Sequence, residues 1–432
     1  MSAHTPVVSD HVTSHVIAGA AEALAVAAEL AEAFRAGAAR RDAERALPRA
    51  ELDRLSRSGL LGITVPREHG GADVCARTLA EVFRLLATGD ASLAQIPQSH
   101  FVYVNVLRRQ GTARQRTFFF GEVLAGRRFG NAQSEKGTQH VQDIRTGLSA
   151  GPDTSSYLLN GEKHYSTGAL FADWIPVLAR AEDRDRAGDR ADALHPGAPH
   201  VAEDHPGALH VAYVPRDAPG VTVVDDWDGM GQRTTASGTV RLVDVVVPAD
   251  RVVPHHLTFE GPQLHGAVAQ LLHAAIDAGL ASAALAEAAD FVRTKSRPWF
   301  ESVGDGYGTA AEDPLLIQRF GELSLRVRAS DALLAAAADA VDAASAGLTD
   351  DTAAEASIAV AAAKVHAATA AVETGSALFE VAGTRAALDG LNLHRYWRDA
   401  RTHTLHDPVR WKVQHIGRYA LSGTRPPRHG LL

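Results

Sequence analysis

Helical spacing of apolar residues opens this chain and fills its last third, and a block of near-alternating positions separates the two. From Ile17 to Phe34 alanine, leucine and glutamate recur at helical spacing, and the pattern returns at Leu52, Leu55 and Leu60, at Leu79, Val82, Leu85 and Leu86, and over 101–109. An apolar connection at 62–66 leads into the Gly70-Gly71 turn, and the polar residues 1–14 read as a frayed end. The period then shortens: 157–159, 162–165, 175–179, 210–214, 221–224 and 240–247 read as strands, with Asn160-Gly161 as a hairpin turn. Beyond Gly261, long helical patterns at 264–294, 314–346 and 352–381 and a last one at 410–421 suffice for a four-helix bundle. The fold class is therefore α+β: a helical domain over 1–127, a middle antiparallel β-barrel or sandwich over 128–255, and a helical bundle over 256–432.

Composition narrows what such a protein does. The net charge of -8 and the lack of a basic run argue against nucleic acid. The apolar segment 16–30 carries Glu22 and Glu29, so it reads as an amphipathic helix rather than a secretory leader or a membrane span. A lone cysteine, Cys75, forms no internal bridge and fits a reducing, cytoplasmic setting. The alanine excess and apolar faces of the C-terminal helices suggest contacts between subunits. Between 181 and 207 an insertion spaces His195, His200, His205 and His210 regularly, as a metal site would. Its prolines and charges offer no scaffold to converge them, so it reads as a mobile solvated loop, and no metal is expected. A metal-buffering protein on a decayed enzyme fold is the non-catalytic reading this insertion leaves open. No strand–glycine–helix unit of the dinucleotide-binding type occurs.

One stretch stands out from the bland last third: Arg398-Asp399-Ala400-Arg401-Thr402-His403-Thr404-Leu405-His406-Asp407-Pro408. If it is helical, His403 and His406 share a face, and imidazoles are the groups best poised to give or take protons near neutral pH. The plainer readings are a structural histidine pair or half a metal site, with Asp399 and Arg401 in ion pairs. Ser166 alone is a strand-end hydroxyl, Arg297 before Pro298 a helix stop, and Trp227 a core residue or a pocket wall.

Several segments resemble the acyl-CoA dehydrogenase superfamily, whose domain order this is. Asn131-Ala132-Gln133-Ser134-Glu135 is similar to the segment where that β-domain meets the flavin ring, and Asn160-Gly161-Glu162-Lys163 through Ser166 to the hairpin ending in a flavin-contacting hydroxyl. Arg297-Pro298-Trp299-Phe300 resembles the motif that reaches the flavin phosphates, and Gly383-Thr384-Arg385 the turn approaching a neighbouring subunit's flavin. Where the dehydrogenases carry a catalytic glutamate and Gly-Thr, this chain reads Leu405-His406-Asp407-Pro408, a poor base for a substrate α-proton. The missing Gly-Thr turn favours FMN over FAD.

His-x-x-His-Asp-Pro, with Trp227-Asp228-Gly229-Met230-Gly231-Gln232-Arg233, resembles the dibenzothiophene monooxygenase branch and the sulfur-acquisition oxidoreductases. That resemblance implies a two-component enzyme: FMNH2 from a separate NAD(P)H:flavin reductase, O2 as co-substrate, a C4a-(hydro)peroxyflavin shielded from water, and a small organosulfur substrate. It implies catalytic roles for His406, His403, His100 and Ser166, flavin contacts from Asn131, Ser134, Ser166 and Arg297, and Arg385 from an adjacent protomer of a homotetramer. Trp227 would wall the substrate pocket. The alternatives are an N- or C-hydroxylating monooxygenase of the same branch, or an FAD-dependent acyl-CoA dehydrogenase.

Overall fold

The computed structural model describes residues 14–153, 155–181 and 207–432. The 195–205 histidine repeats and almost all of the polar first stretch lie outside them.

Six helices form the N-terminal part: α1 (Ala20–Glu44), α2 (Arg49–Arg57), α3 (Ala76–Gly89), α4 (Ala91–Gln95), α5 (Gln98–Gln110) and α6 (Ala113–Leu124). The periodicity reading omits α4 and α6, which begin at local caps instead. The Asp90 carboxylate accepts the Ser92 and Leu93 N–H groups, and Thr112 with Gln115 closes a capping box.

Seven strands follow: β1 (Gly147–Ala150), β2 (Ser156–Lys163), β3 (Trp174–Ala181), β4 (Leu209–Pro215), β5 (Val221–Val224), β6 (Thr239–Pro248) and β7 (Val252–Val253). They make one sheet in the order β5-β6-β2-β1-β3-β4-β7. Its inward residues on β2 and β6, such as Leu159, Val240 and Val245, share a core with Ile175, Val177 and Ala212 of β3 and β4, so the sheet wraps around itself as a barrel does. Alternate residues Leu178, Val211 and Tyr213 face the other way and pack on α5 and α6. The expectation of a wholly antiparallel barrel needs one correction, because β1 pairs with β3 in parallel.

Asn160-Gly161 is also corrected. It lies inside β2, at a bulge against β6, and is not a hairpin turn. There Asn160 Oδ1 accepts the Asp244 N–H (2.8 Å), and Gly161 (φ +156°) lies so close to Thr146 that a Cβ would sit 2.4 Å from its hydroxyl. The same local chemistry that favours a tight turn serves a bulge when a third strand lies alongside.

The remainder is helical: α7 (His265–Thr294), α8 (Phe300–Gly304), α9 (Pro314–Ala346), α10 (Asp350–Ala382), α11 (His394–His403) and α12 (Val409–Ser422). Small side chains on α7 and α10, among them Ala274, Ala278, Ala363 and Ala367, are fully buried, so these helices pack closely. One core joins them to α1 and α3. Although α7 is apolar and long enough to cross a membrane, 83% of its most apolar window is buried inside the protein.

Candidate active site

The residues 129–132 run beside β3 through bridges of Phe129 to Trp174 and Ala132 to Val177. Beyond them Glu135 is clamped. It accepts Lys163 Nζ (2.7 Å) and the Thr146 N–H (2.9 Å) and hydroxyl (2.7 Å), and Lys163 Nζ also donates to the Gln133 carbonyl (3.1 Å). Burial would raise the Glu135 pKa, but Lys163 and Thr146 outweigh it and hold it at about 2. The backbone at Gln133 is thus tied to Lys163 of β2, and the Ser134 carbonyl accepts the His164 N–H (2.8 Å), while Gly130 and Ala132 on either side of Asn131 donate to β3. Asn131 Oδ1 accepts the Tyr103 hydroxyl (3.2 Å), and its amide N–H groups donate to no partner among the described residues.

After β2 the chain turns sharply at Tyr165 (φ +56°) and Gly168 (φ +76°), where a Cβ would lie 3.1 Å from the Ile96 carbonyl. Between them the Ser166 N–H donates to the Gly238 carbonyl (3.0 Å), and Thr167, Ser237 and Thr235 form a chain of hydroxyl contacts (2.7 and 2.8 Å). Trp227, held by its indole N–H on the Gln232 carbonyl (3.0 Å), meets Tyr165 edge to face at 6.4 Å. Ser166 and Trp227 therefore belong to one corner, joined through Tyr165.

His403 and His406 do not share a helix face. α11 ends at His403, and His406 follows in a turn whose N–H donates to the His403 carbonyl (3.1 Å). What unites them is His273 of α7, a residue the sequence reading passed over. Its ring is 4.0 Å from that of His406 and 5.1 Å from that of His403. His403 Nδ1 donates to Asp277 Oδ1 (2.6 Å), while its Nε2 lies 3.0 Å from both Gln95 Oε1 and His273 Nδ1. Asp277 in turn accepts Lys364 Nζ of α10 (3.1 Å), and neither of that pair is exposed. Burial opposes the Asp277 charge, yet Lys364 and His403 hold its pKa below the ordinary value. His403 is pushed down by burial against the pull of Asp277. The clue in the sequence was a histidine and an aspartate one turn apart in an alanine–leucine helix, and a lone lysine in another.

Asp407 is buried against Lys412 and lies 3.3 Å from His406 Nδ1, and the lysine also donates to the Leu431 carbonyl (2.8 Å). Burial would raise its pKa, but His406, Lys364 and Lys412 hold it far below the carboxylate range, so it is no proton acceptor near neutral pH.

Two expectations need correction. His100 is buried with both nitrogens engaged: Nδ1 accepts the Phe129 N–H (3.1 Å), so its Nε2–H donates to the Leu61 carbonyl (3.0 Å). Burial lowers its pKa to about 4, so it is a neutral tie between α5 and the 61 and 129 segments and not a proton donor. Asp399 makes no ion pair among the described residues. It accepts the Gln232 N–H (2.6 Å), while its neighbour Arg398 pairs with Asp42. Arg297 is exposed just beyond the C-terminal end of α7, whose last residue, Thr294, lies about 26 Å along the helix from Asp277 at 1.5 Å per residue. Arg385 lies beside it, donating to the Lys295 carbonyl (2.7 Å).

Family models of the acyl-CoA dehydrogenase N-terminal, middle and C-terminal domains match residues 21–127, 130–245 and 271–411. A dibenzothiophene monooxygenase from Rhodococcus qingshengii is 33% identical over 419 residues, 93% of this chain and 94% of that protein. The chain belongs to the acyl-CoA dehydrogenase superfamily, in the branch of the dibenzothiophene monooxygenases. A probable FMNH2-dependent monooxygenase, SfnC, from Pseudomonas putida is 31% identical over 94% of this chain and 96% of that protein. The solved FMN-bound TdsC from Paenibacillus sp. A11-2 superposes with a TM-score of 0.84 at 32% identity, covering 95% of this chain and all of that one. Methanesulfinate monooxygenase MsuC from Pseudomonas fluorescens gives 0.81 at 28% identity, with 95% and 99% covered.

A flavin of the kind this family uses fits the residues present. The buried polar atoms that lack a hydrogen-bond partner among the described residues include the hydroxyls of Ser99, Ser166 and Thr402 and Oε1 of Gln270. Their segments meet each other through Gln98 to the Ala269 carbonyl (3.2 Å), Gln95 to His403 and Gly168 against Ile96. Orphaned buried polar groups cost about 1–3 kcal/mol each, so several on adjoining segments point to a ligand that satisfies them.

Proposed function

We propose that this protein is an FMNH2-dependent monooxygenase that transfers one atom of O2 to a small organosulfur compound. Its dibenzothiophene, methanesulfinate and SfnC relatives support the sulfur substrate and a separate NAD(P)H:flavin reductase as partner. The observation that carries the reading is the pairing of the unsatisfied Ser166 hydroxyl with a histidine cluster in place of a carboxylate base.

Reduced FMN, when bound, supplies the electrons that activate O2. The chain's own groups do the rest. Ser166 Oγ and the Asn131 amide are free to hydrogen-bond the ring edge, with Ser134 toward the ribityl chain. Tyr165 and Trp227 wall one side against water, the first requirement for coupled oxygen transfer. His403 and the half-exposed His406 hold and deliver protons, while Asp407, tied to Lys412, orients the His406 turn. Because Asp407 cannot take an α-proton, dehydrogenation of an acyl-CoA is disfavoured.

The chain reads as three domains, 1–127, 128–255 and 256–432, in a cytoplasmic homotetramer. Exposed Trp299 (61%) and Phe300 (69%) follow Arg297 in the chain, and Leu315 (76%) is exposed at the start of α9, apolar surface suited to a second subunit, through which Arg297 and Arg385 together would reach a neighbour's flavin phosphate.

Supplying FMNH2 from a flavin reductase under air, with thioethers, sulfones, sulfinates and amines offered in parallel, tests the reading by mass. A gain of one oxygen on a sulfur compound is expected. No oxygenation of any of them, together with anaerobic bleaching of bound flavin by an acyl-CoA, would replace it with the dehydrogenase.

A further inference from the structure

His273 and Asp277 on α7 and Lys364 on α10 are at most 1% exposed, yet all three carry ionisable groups. Such groups persist inside a protein only where partners satisfy them. The bond from His403 Nδ1–H to Asp277 fixes one proton of His403 and leaves Nε2 as its variable atom. Around Nε2, at 3.0 Å each, stand the Gln95 side-chain oxygen, an acceptor, and His273 Nδ1, which can accept or donate. His273 Nε2 has no hydrogen-bond partner among the described residues, and its ring stacks on half-exposed His406.

We propose that His273 and His403 form a two-imidazole proton store, with Asp277 as its positioning counter-charge and His273 Nε2 as the atom where the proton enters and leaves. The step balances. A proton binds His273 Nε2 as the N–H bond at its Nδ1 breaks, and a new N–H bond forms at His403 Nε2. His273 is left neutral, and His403 becomes an imidazolium whose two N–H groups face the Asp277 carboxylate and Gln95. The reverse movement returns the proton.

The surrounding charges favour this arrangement. Burial, His406, Lys364, His403 and Lys412 all disfavour a positive His273, whose pKa lies well below the ordinary histidine value. Asp277 favours a positive His403, while burial, Lys364 and His406 oppose it. The charge therefore rests on His403, beside the carboxylate. Sequestering a proton in this way rests on the monooxygenase reading for its use.

The test combines a spectroscopic readout on flavin-free protein with coupled turnover. Nitrogen-15 imidazole spectra, with His403 assigned by loss of its signal in His403→Gln, should show Nδ1 protonated throughout. In Asp277→Leu/Lys364→Met, which removes both buried charges together so that neither is stranded, the signal should move to the Nε2–H tautomer. His273→Phe keeps the ring against His406 without its nitrogens. It should melt within a few degrees of wild type, lower product per flavin oxidised on the order of 100-fold, and lose the histidine limb of the pH profile. An unchanged His403 tautomer in the folded double variant, or wild-type coupling and pH profile in His273→Phe, overturns the proposal. Failure of the wild type to oxygenate any substrate would sink the function and leave the tautomer result to decide the store.

Discussion

Replacing Asp399 with asparagine should change how stability depends on pH. The carboxylate is buried at the start of the knot, accepts the Gln232 N–H and faces Asp42 and Asp90. Burial first, then repulsion from Asp42, push its pKa up to about 7 from an ordinary value of 3.8. A folded pKa above the unfolded one means that the native state holds the proton more tightly. The contribution is therefore complete below the unfolded pKa and is lost as pH rises through the folded one. A shift of about three units corresponds to about 4 kcal/mol, of which about 2.5 kcal/mol should disappear between roughly pH 5 and pH 8. Asparagine offers Gln232 the same acceptor without the charge, so Asp399→Asn should gain on wild type by that amount over this range. Urea unfolding of both proteins at several pH values measures the difference, which also cancels the oppositely titrating buried histidines. A gap between the two proteins that stays constant with pH would refute the assignment of a strained, protonatable carboxyl.

Other outcomes follow from the same geometry. His406→Ala should still bind FMNH2 but release hydrogen peroxide in place of oxygenated product, and full coupling would contradict its role. Ser166→Ala should weaken FMNH2 binding about 10-fold while folding normally, by the loss of one hydrogen bond to the ligand, as flavin fluorescence titration can read. His100→Phe keeps the ring volume but loses the Leu61 and Phe129 bonds, so it should cost about 2 kcal/mol in unfolding experiments and leave the pH profile of oxygenation where it was. Burial lowers His100 and His265 to about 4 and His255 to about 3, and a depressed histidine holds its proton more weakly when folded. The contribution of these histidines to stability should thus be full above about pH 6.5 and fall as pH drops toward 4, with His265→Phe removing part of that slope.

Local signals in the chain did well wherever the deciding interaction was local. The helix–strand–helix order follows from the change of period from about 3.6 to 2, and three bundle helices emerge almost residue for residue because their ends carry caps such as Asp313 with Pro314 and Thr349. The histidine knot was visible because polarity is conspicuous in an alanine-rich context. Asn160-Gly161 misled because a left-handed or extended glycine serves a bulge as readily as a turn, and only the presence of β6 and Thr146 beside it selects between them.

Taken by itself, the sequence determined the order of domains, the family branch and the dense His-x-x-His-Asp-Pro stretch. Tertiary structure decided which imidazoles work together. The bond between His403 and Asp277 spans 126 positions and that between Lys364 and Asp277 spans 87, and a hydrogen bond has no reach beyond about 3 Å. No periodicity can reveal such partners, because a buried polar residue in a helix looks like an isolated fault in the apolar pattern until the packing of α7, α10 and α11 brings its counterpart alongside.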